Sequence, residues 1–360
     1  MILTISTISL GVLRIRYMKR LHLILIGATC GILANHLAAG PVSTQIFGWG
    51  YNGIGAATGI KPPAGQLDLE SGAVWLARQP LTNIISIAAG YQHSLALQSD
   101  GTVLGWGFNN CGQATGSSDG TNGFVRINGV VLSNVVAISA GFLHSLALKS
   151  DGTVVAWGSS AYGETTVPEG LSNIVAVSAG WYHSLALKKD GKVVMWPNPI
   201  KEGWWSPTVL PSLTNIVAIA TTKNLWGTGD DMVLKSDGTV VTWGIKSGHS
   251  HSITGVSNVV ALAAGAEGLA LTREGTVFEI SLHSDADSHS EEARQHGGLT
   301  NVVAIAAGGS RCLALKREGT VTVVWGDNYP YLPSEPLHLT NVIGIAAGEN
   351  FCLALQTNAP

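Results

Sequence analysis

Charge is scarce in this sequence. Asp, Glu, Lys and Arg account for 12% of its 360 residues and leave a net charge of −3, about half the usual charged share. A nucleic-acid surface requires a concentrated basic footprint, so this composition argues against one. The short motifs that carry chemistry are missing as well. There is no G-x-S-x-G, Walker loop, dinucleotide glycine pattern or H-E-x-x-H, and with them go the usual sequence warrants for an enzyme. Apolar runs long enough for a membrane span, about 18–20 residues, are also lacking.

One shorter apolar run does occur. Lys19-Arg20 precede Leu21-His22-Leu23-Ile24-Leu25-Ile26, the run continues to about Ala34, and Leu37-Ala38-Ala39 offers small residues. A basic start, a short apolar middle and a small-residue exit describe a secretory signal peptide. Residues 1–39 are therefore expected to be a targeting segment, with Met18 its natural start and the propeller domain described below occupying 40–360. The expected location is secreted, periplasmic or cell envelope, with no membrane span after signal removal. Gly27-Ala28-Thr29 before Cys30 is a poor context for lipid attachment.

What the chain has in abundance is glycine, 45 residues of it, and repetition. Residues 132–158 read LSNVVAISAGFLHSLALKSDGTVVAWG, and residues 171–196 read LSNIVAVSAGWYHSLALKKDGKVVMW. The same phrase places Asn at 83, 134, 173, 215, 258, 301 and 341, at spacings of 39 to 51 residues. Seven copies of one unit follow, and this periodicity decides the fold.

Each unit opens with a short apolar run ending at Ala-Gly, such as Val135 to Ala140-Gly141. Ser145-Leu146-Ala147-Leu148 then alternates with the strand period. Asp151-Gly152 turns the chain back through Thr153-Val154-Val155-Ala156-Trp157, a strong hairpin signal because Gly tolerates positive φ. A weaker fourth strand is expected after Trp-Gly, for example at Thr165-Thr166-Val167. Radially repeated four-stranded units of this length predict an all-β, seven-bladed β-propeller of antiparallel blades. The seventh copy stops at Leu353-Ala354-Leu355, and an orphan Ile46-Phe47-Gly48-Trp49-Gly50 stands before the first. Pairing the N-terminal strand (about 45–50) with the C-terminal blade closes the ring and removes open sheet edges.

Strand direction assigns the faces. The segments after Trp-Gly (51–79, 108–131, 197–211, 245–255, 281–298) must project on the same side as the Ala-Gly turns, leaving the Asp-Gly side short and uniform. Tyr91, Phe142, Trp181 and Tyr182 fill the Ala-Gly turns, Trp204 and Trp205 lie in an insert, and Trp226 lies in the altered turn of the fourth unit. Aromatics gathered on one surface are the material of binding hot spots, and loop-against-loop packing is the competing use. Trp106, Trp157, Trp243 and Trp325 sit in strands and are expected in the core.

His93, His144 and His183 share one register in consecutive units, where symmetry spreads them around the ring; a structural, hydrogen-bonded role is expected. His283, His289, Asp285 and Asp287 crowd one insert and are weak metal candidates. An EF-hand would need Gly and Glu where Ser290 and His296 stand, which excludes it. Cys312 and Cys352 occupy equivalent positions in adjacent units and are expected as buried free thiols, with a disulfide the alternative.

Ala140-Gly141-Phe142-Leu143-His144-Ser145-Leu146-Ala147-Leu148, with Asp151-Gly152 and Trp157-Gly158, resembles the regulator of chromosome condensation repeat. Trp106-Gly107-Phe108-Asn109-Asn110-Cys111-Gly112-Gln113 is similar to that family's W-G-x-N-x-x-G-Q segment, and Trp49 to Gly55 echoes it. The resemblance covers about residues 42–357 and implies a seven-bladed propeller. Its wording is closer to secreted bacterial members such as the type II β-lactamase inhibitory protein, which binds an enzyme through aromatics on one face. It therefore implies a monomeric, non-enzymatic protein-binding propeller without a cofactor, its protein partner unidentified. A carbohydrate-active or lyase-type enzyme with an axial pocket is one alternative, and a guanine-nucleotide exchange factor the other.

Overall fold

The computed structural model describes residues 43–61, 69–77, 79–196, 213–222, 230–244, 250–282, 292–309, 311–326 and 339–357. Among them there is no helix, and the strands assemble seven antiparallel blades. Blade 1 consists of Ile84–Ala89, His93–Gln98, Val103–Gly107 and Gly123–Phe124. The inner strands of the next five blades are Val135–Ala140, Ile174–Ala179, Ile216–Ala220, Val259–Ala264 and Val302–Ala307. Blade 7 joins Val342–Ala347 and Phe351–Thr357 to Thr44–Tyr51 and Leu69–Ala73. Inner strands touch in cyclic order, blade 7 against blade 1 included, so the ring is closed.

Closure follows the expected pairing, with Phe47 opposite Ala354, Trp49 opposite Cys352 and Gly50 opposite Phe351. One side chain completes it. In blades 2, 3, 6 and 7 the amide that begins the inner strand donates to the glycine carbonyl of the preceding blade's hairpin turn, as Val135 does to Gly101 at 3.0 Å and Val342 to Gly319 at 3.0 Å. Blade 7 has no such turn, because its third strand comes from the start of the chain. Thr44 substitutes: its hydroxyl accepts from the Ile84 amide at 2.8 Å and donates to the Ile84 carbonyl at 3.1 Å.

The seven repeat asparagines all adopt left-handed φ, between 56° and 61°. That conformation is costly for most L residues, and Asn visits it more readily than most. Each immediately precedes an inner strand, and in every blade a β-bulge lies at the second residue after it. The bulge frees one β-branched side chain per blade: Ile85, Val136, Val175, Val217, Val260, Val303 and Ile343. Ile85 and Val136 are exposed.

The core lies between blades, as seven separate clusters. Alternation along the second strand sends its two large residues to one neighbour and its small residue to the other. Leu95 and Leu97 pack with blade 2, whereas Ala96 packs with blade 7. Leu146 and Leu148 join blade 3, and Ala147 joins blade 1. The third-strand Trp faces the same way as the alanine: Trp106, Trp157, Trp196, Trp243 and Trp49 each meet the leucine pair of the preceding blade. The alanine makes room for the Trp beside it. Trp106, Trp157 and Trp243 are buried as expected; the Trp325 side chain lies outside the described residues.

Blades 1, 4, 5 and 7 have four strands, and blades 2, 3 and 6 have three among the described residues. The strand expected at Thr165-Thr166-Val167 is absent. Thr166 donates its amide to Gly163 at 3.0 Å and Val167 to Thr165 at 3.0 Å, so the segment turns on itself. Pro168 then has no amide to offer a ladder. Cys312 and Cys352 are buried free thiols, as expected, and burial pushes the Cys352 thiol up to about 12.

Two substitutions test this packing by urea unfolding. Thr44→Val keeps the shape but strands the Ile84 amide, and is expected to lower stability by about 1–3 kcal/mol. Ala147→Leu overfills the space beside Trp157 and is expected to cost about 1–3 kcal/mol. Wild-type midpoints in either variant would contradict the corresponding contact.

Candidate functional site

The Ala-Gly turns surround the axis on one face and are bound to each other in sequence. The residue after the glycine donates its amide to the glycine carbonyl of the next blade, Tyr91 to Gly141 at 3.0 Å and Phe142 to Gly180 at 3.1 Å. Ala266 to Gly308 at 3.0 Å and Gly309 to Gly348 at 3.2 Å continue the ring. Space demands glycine here. A Cβ on Gly141 would fall against both the Gly180 carbonyl and the His144 ring.

Below the turns, the histidines bridge blades. His93 Nε2 lies 2.8 Å from Ser145 Oγ, His144 Nε2 3.0 Å from Ser184 Oγ, and His183 Nε2 2.7 Å from Asp231 Oδ2. Ser184 donates its only hydroxyl proton to the Glu164 carbonyl at 2.9 Å. His144 must therefore donate from Nε2, which leaves Nδ1 as the lone-pair nitrogen, buried and without a partner. Burial, then the neighbouring His183 and His93, lower the His144 pKa from 6.5 to about 3. His144 is therefore neutral, and the three histidines each tie one blade to the next rather than converging on a catalytic or metal site. The loops behind them are self-contained: Asn109 Oδ1 accepts from the Ala114 and Thr115 amides, and Asn52 does the same for Ala57 and Thr58.

Above the turns lies an aromatic arc. Phe142 stacks on Trp181 at 4.0 Å between ring centroids, and Tyr91 meets both edge-on at 4.7 and 5.3 Å. Tyr182 packs edge-on against Phe142 and Trp181, and Tyr162 adjoins Tyr182 at 4.4 Å. Tyr91 of blade 1 reaching Trp181 of blade 3 places these rings over the axial opening. The arc divides by exposure. Trp181 is 5% exposed and locks the turns together, whereas Tyr162 is 42% exposed and Tyr91, Phe142 and Tyr182 are half-buried.

The structure thus gathers Tyr91, Phe142, Trp181 and Tyr182 from the expected set. Trp204, Trp205 and Trp226 lie outside the described residues, as do His283, His289, Asp285 and Asp287. Among the described residues no group of three or more His, Cys, Asp or Glu could hold a metal ion. His296 bonds Glu279 at 3.0 Å. Two members were not expected from the sequence. Tyr162 follows Trp157-Gly158 on the insert-bearing side, and Glu349 occupies the position after Gly348 that Tyr91, Phe142 and Trp181 hold in their blades. Burial and then the Glu349 carboxylate raise the Tyr91 phenol above its usual 10.

The buried His144 sets a pH dependence. Above about pH 6.5 it contributes none, because it is neutral folded and unfolded. As pH falls below 6.5 the unfolded chain takes up a proton that the folded one refuses, so stability is lost toward pH 3. Unfolding free energy should drop by up to about 1.4 kcal/mol per pH unit from this residue. Urea unfolding between pH 7.5 and 5 should show a shallower slope for His144→Gln; an unchanged slope would contradict the neutral assignment.

Against known proteins, the model of the Regulator of chromosome condensation (RCC1) repeat matches residues 84–113, 135–164 and 174–196. Protein pim1 of Schizosaccharomyces pombe is 31% identical over 221 residues, 58% of this chain, which spans 35% of the length of pim1. Human WBSCR16 superposes with a TM-score of 0.66 at 20% identity, over 88% of this chain and 100% of that one. Prp20p of Saccharomyces cerevisiae gives 0.67 at 19% identity, over 89% and 93%. Three consecutive blades thus match the regulator of chromosome condensation repeat, and the chain shares the β-propeller fold of these structural neighbours.

Proposed function

We propose that this protein is an exported, non-enzymatic propeller that binds another protein through the aromatic arc and the inserts around it. The observation that carries the reading is the five-ring cluster over the axis, with Tyr162 open to solvent on the face that bears the inserts. Rigid aromatic surface loses little entropy on binding and dominates interface energetics. The blades beneath are tied by hydrogen bonds from turn to turn, so the arc is presented in one geometry. The neighbour Prp20p is described with binding properties to Gsp1p and histones, which supports protein recognition as a use of this fold. Export rests on the basic-apolar-small pattern of residues 1–39, which lie outside the described residues.

The experiment starts from the mature domain, its N-terminus read by sequencing of secreted material and expected near residue 40. A partner captured on it is identified by mass spectrometry, purified and titrated against two double variants. Tyr162→Ala with Tyr182→Ala should weaken binding at least about 30-fold, roughly 2 kcal/mol. Ile85→Ser with Val136→Ser, on the opposite face, should stay within about threefold. The reverse pattern would overturn the choice of face, and a chain start before residue 20 in the mature protein would overturn export.

A further inference from the structure

We propose that the outer edge of blade 2, from Ala156 to Gly158, takes an extended segment of the partner protein as its fourth strand. This rests on the reading of the aromatic face given above and names the form in which the partner arrives.

Four blades show what this place holds. Blades 7, 1, 4 and 5 carry the outer strands Leu69–Ala73, Gly123–Phe124, Ser250–Ser252 and Arg294–Gln295. Beside each pairing, one outer amide clasps a third-strand carbonyl: Val74 to Ile46 and Val125 to Val103 at 2.8 Å, Ile253 to Val240 and His296 to Val277 at 2.9 Å. Under that cover Ile46, Val103, Val240 and Val277 are each 0% exposed. All four lie opposite the last leucine of the second strand, and Val154 is their counterpart in blade 2, opposite Leu148. Val154 is only half-buried.

Blade 2 keeps the side chain of the clasp and not its bond. Val167 packs against the cluster between blades 2 and 3, but its amide donates to Thr165 at 3.0 Å. No described strand pairs with Val154–Gly158 on its outer side. Lys149 donates to Thr153 across the hairpin at 2.9 Å, so the antiparallel alternation turns the backbone of Ala156 and Gly158 outward. In blade 1 both places are filled: Gly123 pairs with Gly105, and Asn122 Oδ1 accepts the Gly107 amide at 3.3 Å.

A sheet edge recognises backbone, and an extended segment is what pairs with it. The residues facing the Ala156 place in the four-stranded blades are Gly72, Gly123, His251 and Arg294. The side chain there is thus loosely constrained, and the ladder bonds carry the selection. A second copy of this chain would meet the edge rim to rim along one strand, whereas a stable interface buries roughly 1,200 Å² or more. A partner segment has no such limit. The edge runs at Ser159 into the loop that bears Tyr162, so a segment pairing there continues onto the aromatic arc.

The test uses the folded protein and a probe copied from the outer segment of blade 1, the acetylated and amidated peptide Gly120-Thr121-Asn122-Gly123-Phe124. The amide resonances of Ala156 and Gly158 should shift saturably as it is added. N-methylation at Gly123, whose amide meets the edge, should weaken binding at least about tenfold. N-methylation at Phe124, whose amide points away, should stay within about threefold. Ala156→Pro removes the outward amide and leaves the ladder to the second strand in place; it should weaken the captured partner about tenfold. Should that variant not fold, the two methylated peptides decide alone. Equal binding of those peptides, shifts confined to the edges of blades 3 or 6, or a dimer that Ala156→Pro dissolves would each overturn the proposal. The two readings fail separately. A partner weakened by Tyr162→Ala with Tyr182→Ala yet indifferent to Ala156→Pro sinks only the added strand. A peptide that pairs at Ala156, alongside a partner indifferent to the tyrosine variants, sinks only the choice of face.

Discussion

Two leucines against an alanine and a tryptophan: this contact, repeated at interface after interface, holds the ring together. A single blade has two apolar faces and buries neither, so its stability comes from neighbours. The large residues of one blade need the hollow left by the small residue of the next, and the tryptophan closes that hollow from the side. The same alternation appears in blade 4, where Met232 and Leu234 face blade 5 and Val233 faces blade 3. Because the fit is directional, each blade accepts a neighbour on either side in only one sense. The hydrogen bonds at the two ends of the inner strands then fix height: the glycine carbonyls at the turns above, the hairpin glycines and Thr44 below.

Much of this was legible because it is local. The seven asparagines mark themselves by a conformation that few residues adopt, and the Asp-Gly turns and the Leu-Ala-Leu alternation are contained within one unit. The closing strand was legible because the first fragment lacks what the last fragment supplies. What stayed hidden is what one unit does to another. That His144 meets Ser184 and His183 meets Asp231 follows only when blades are placed side by side. The supposed strand at Thr165–Val167 failed because propensity said extended, while Gly163 and Pro168 made a local turn cheaper. Glu349 was overlooked because a search for aromatics passed over the one acid in their register; aligning the residue after every turn glycine would have found it.

The fourth blade shows how the frame absorbs change. Its turn departs from Ala-Gly, and serine in the bridging position becomes Asp231. The carboxylate still receives His183 from blade 3, and its other oxygen accepts the Thr222 amide at 3.0 Å. Thr221 and Ser178 supply a further tie across the same boundary at 2.8 Å. Hydroxyl and carboxylate oxygens thus take over from the glycine carbonyls that serve elsewhere, and the ring stays level through an altered repeat.

Thr44 and Thr357 pair with each other on the hairpin side of the disc. A module joined directly before Thr44 or directly after Thr357 is therefore carried on the side away from the aromatic arc. A bead, a label or a neighbouring module attached there leaves the aromatic arc facing outward, which makes both ends equivalent handles for presenting it.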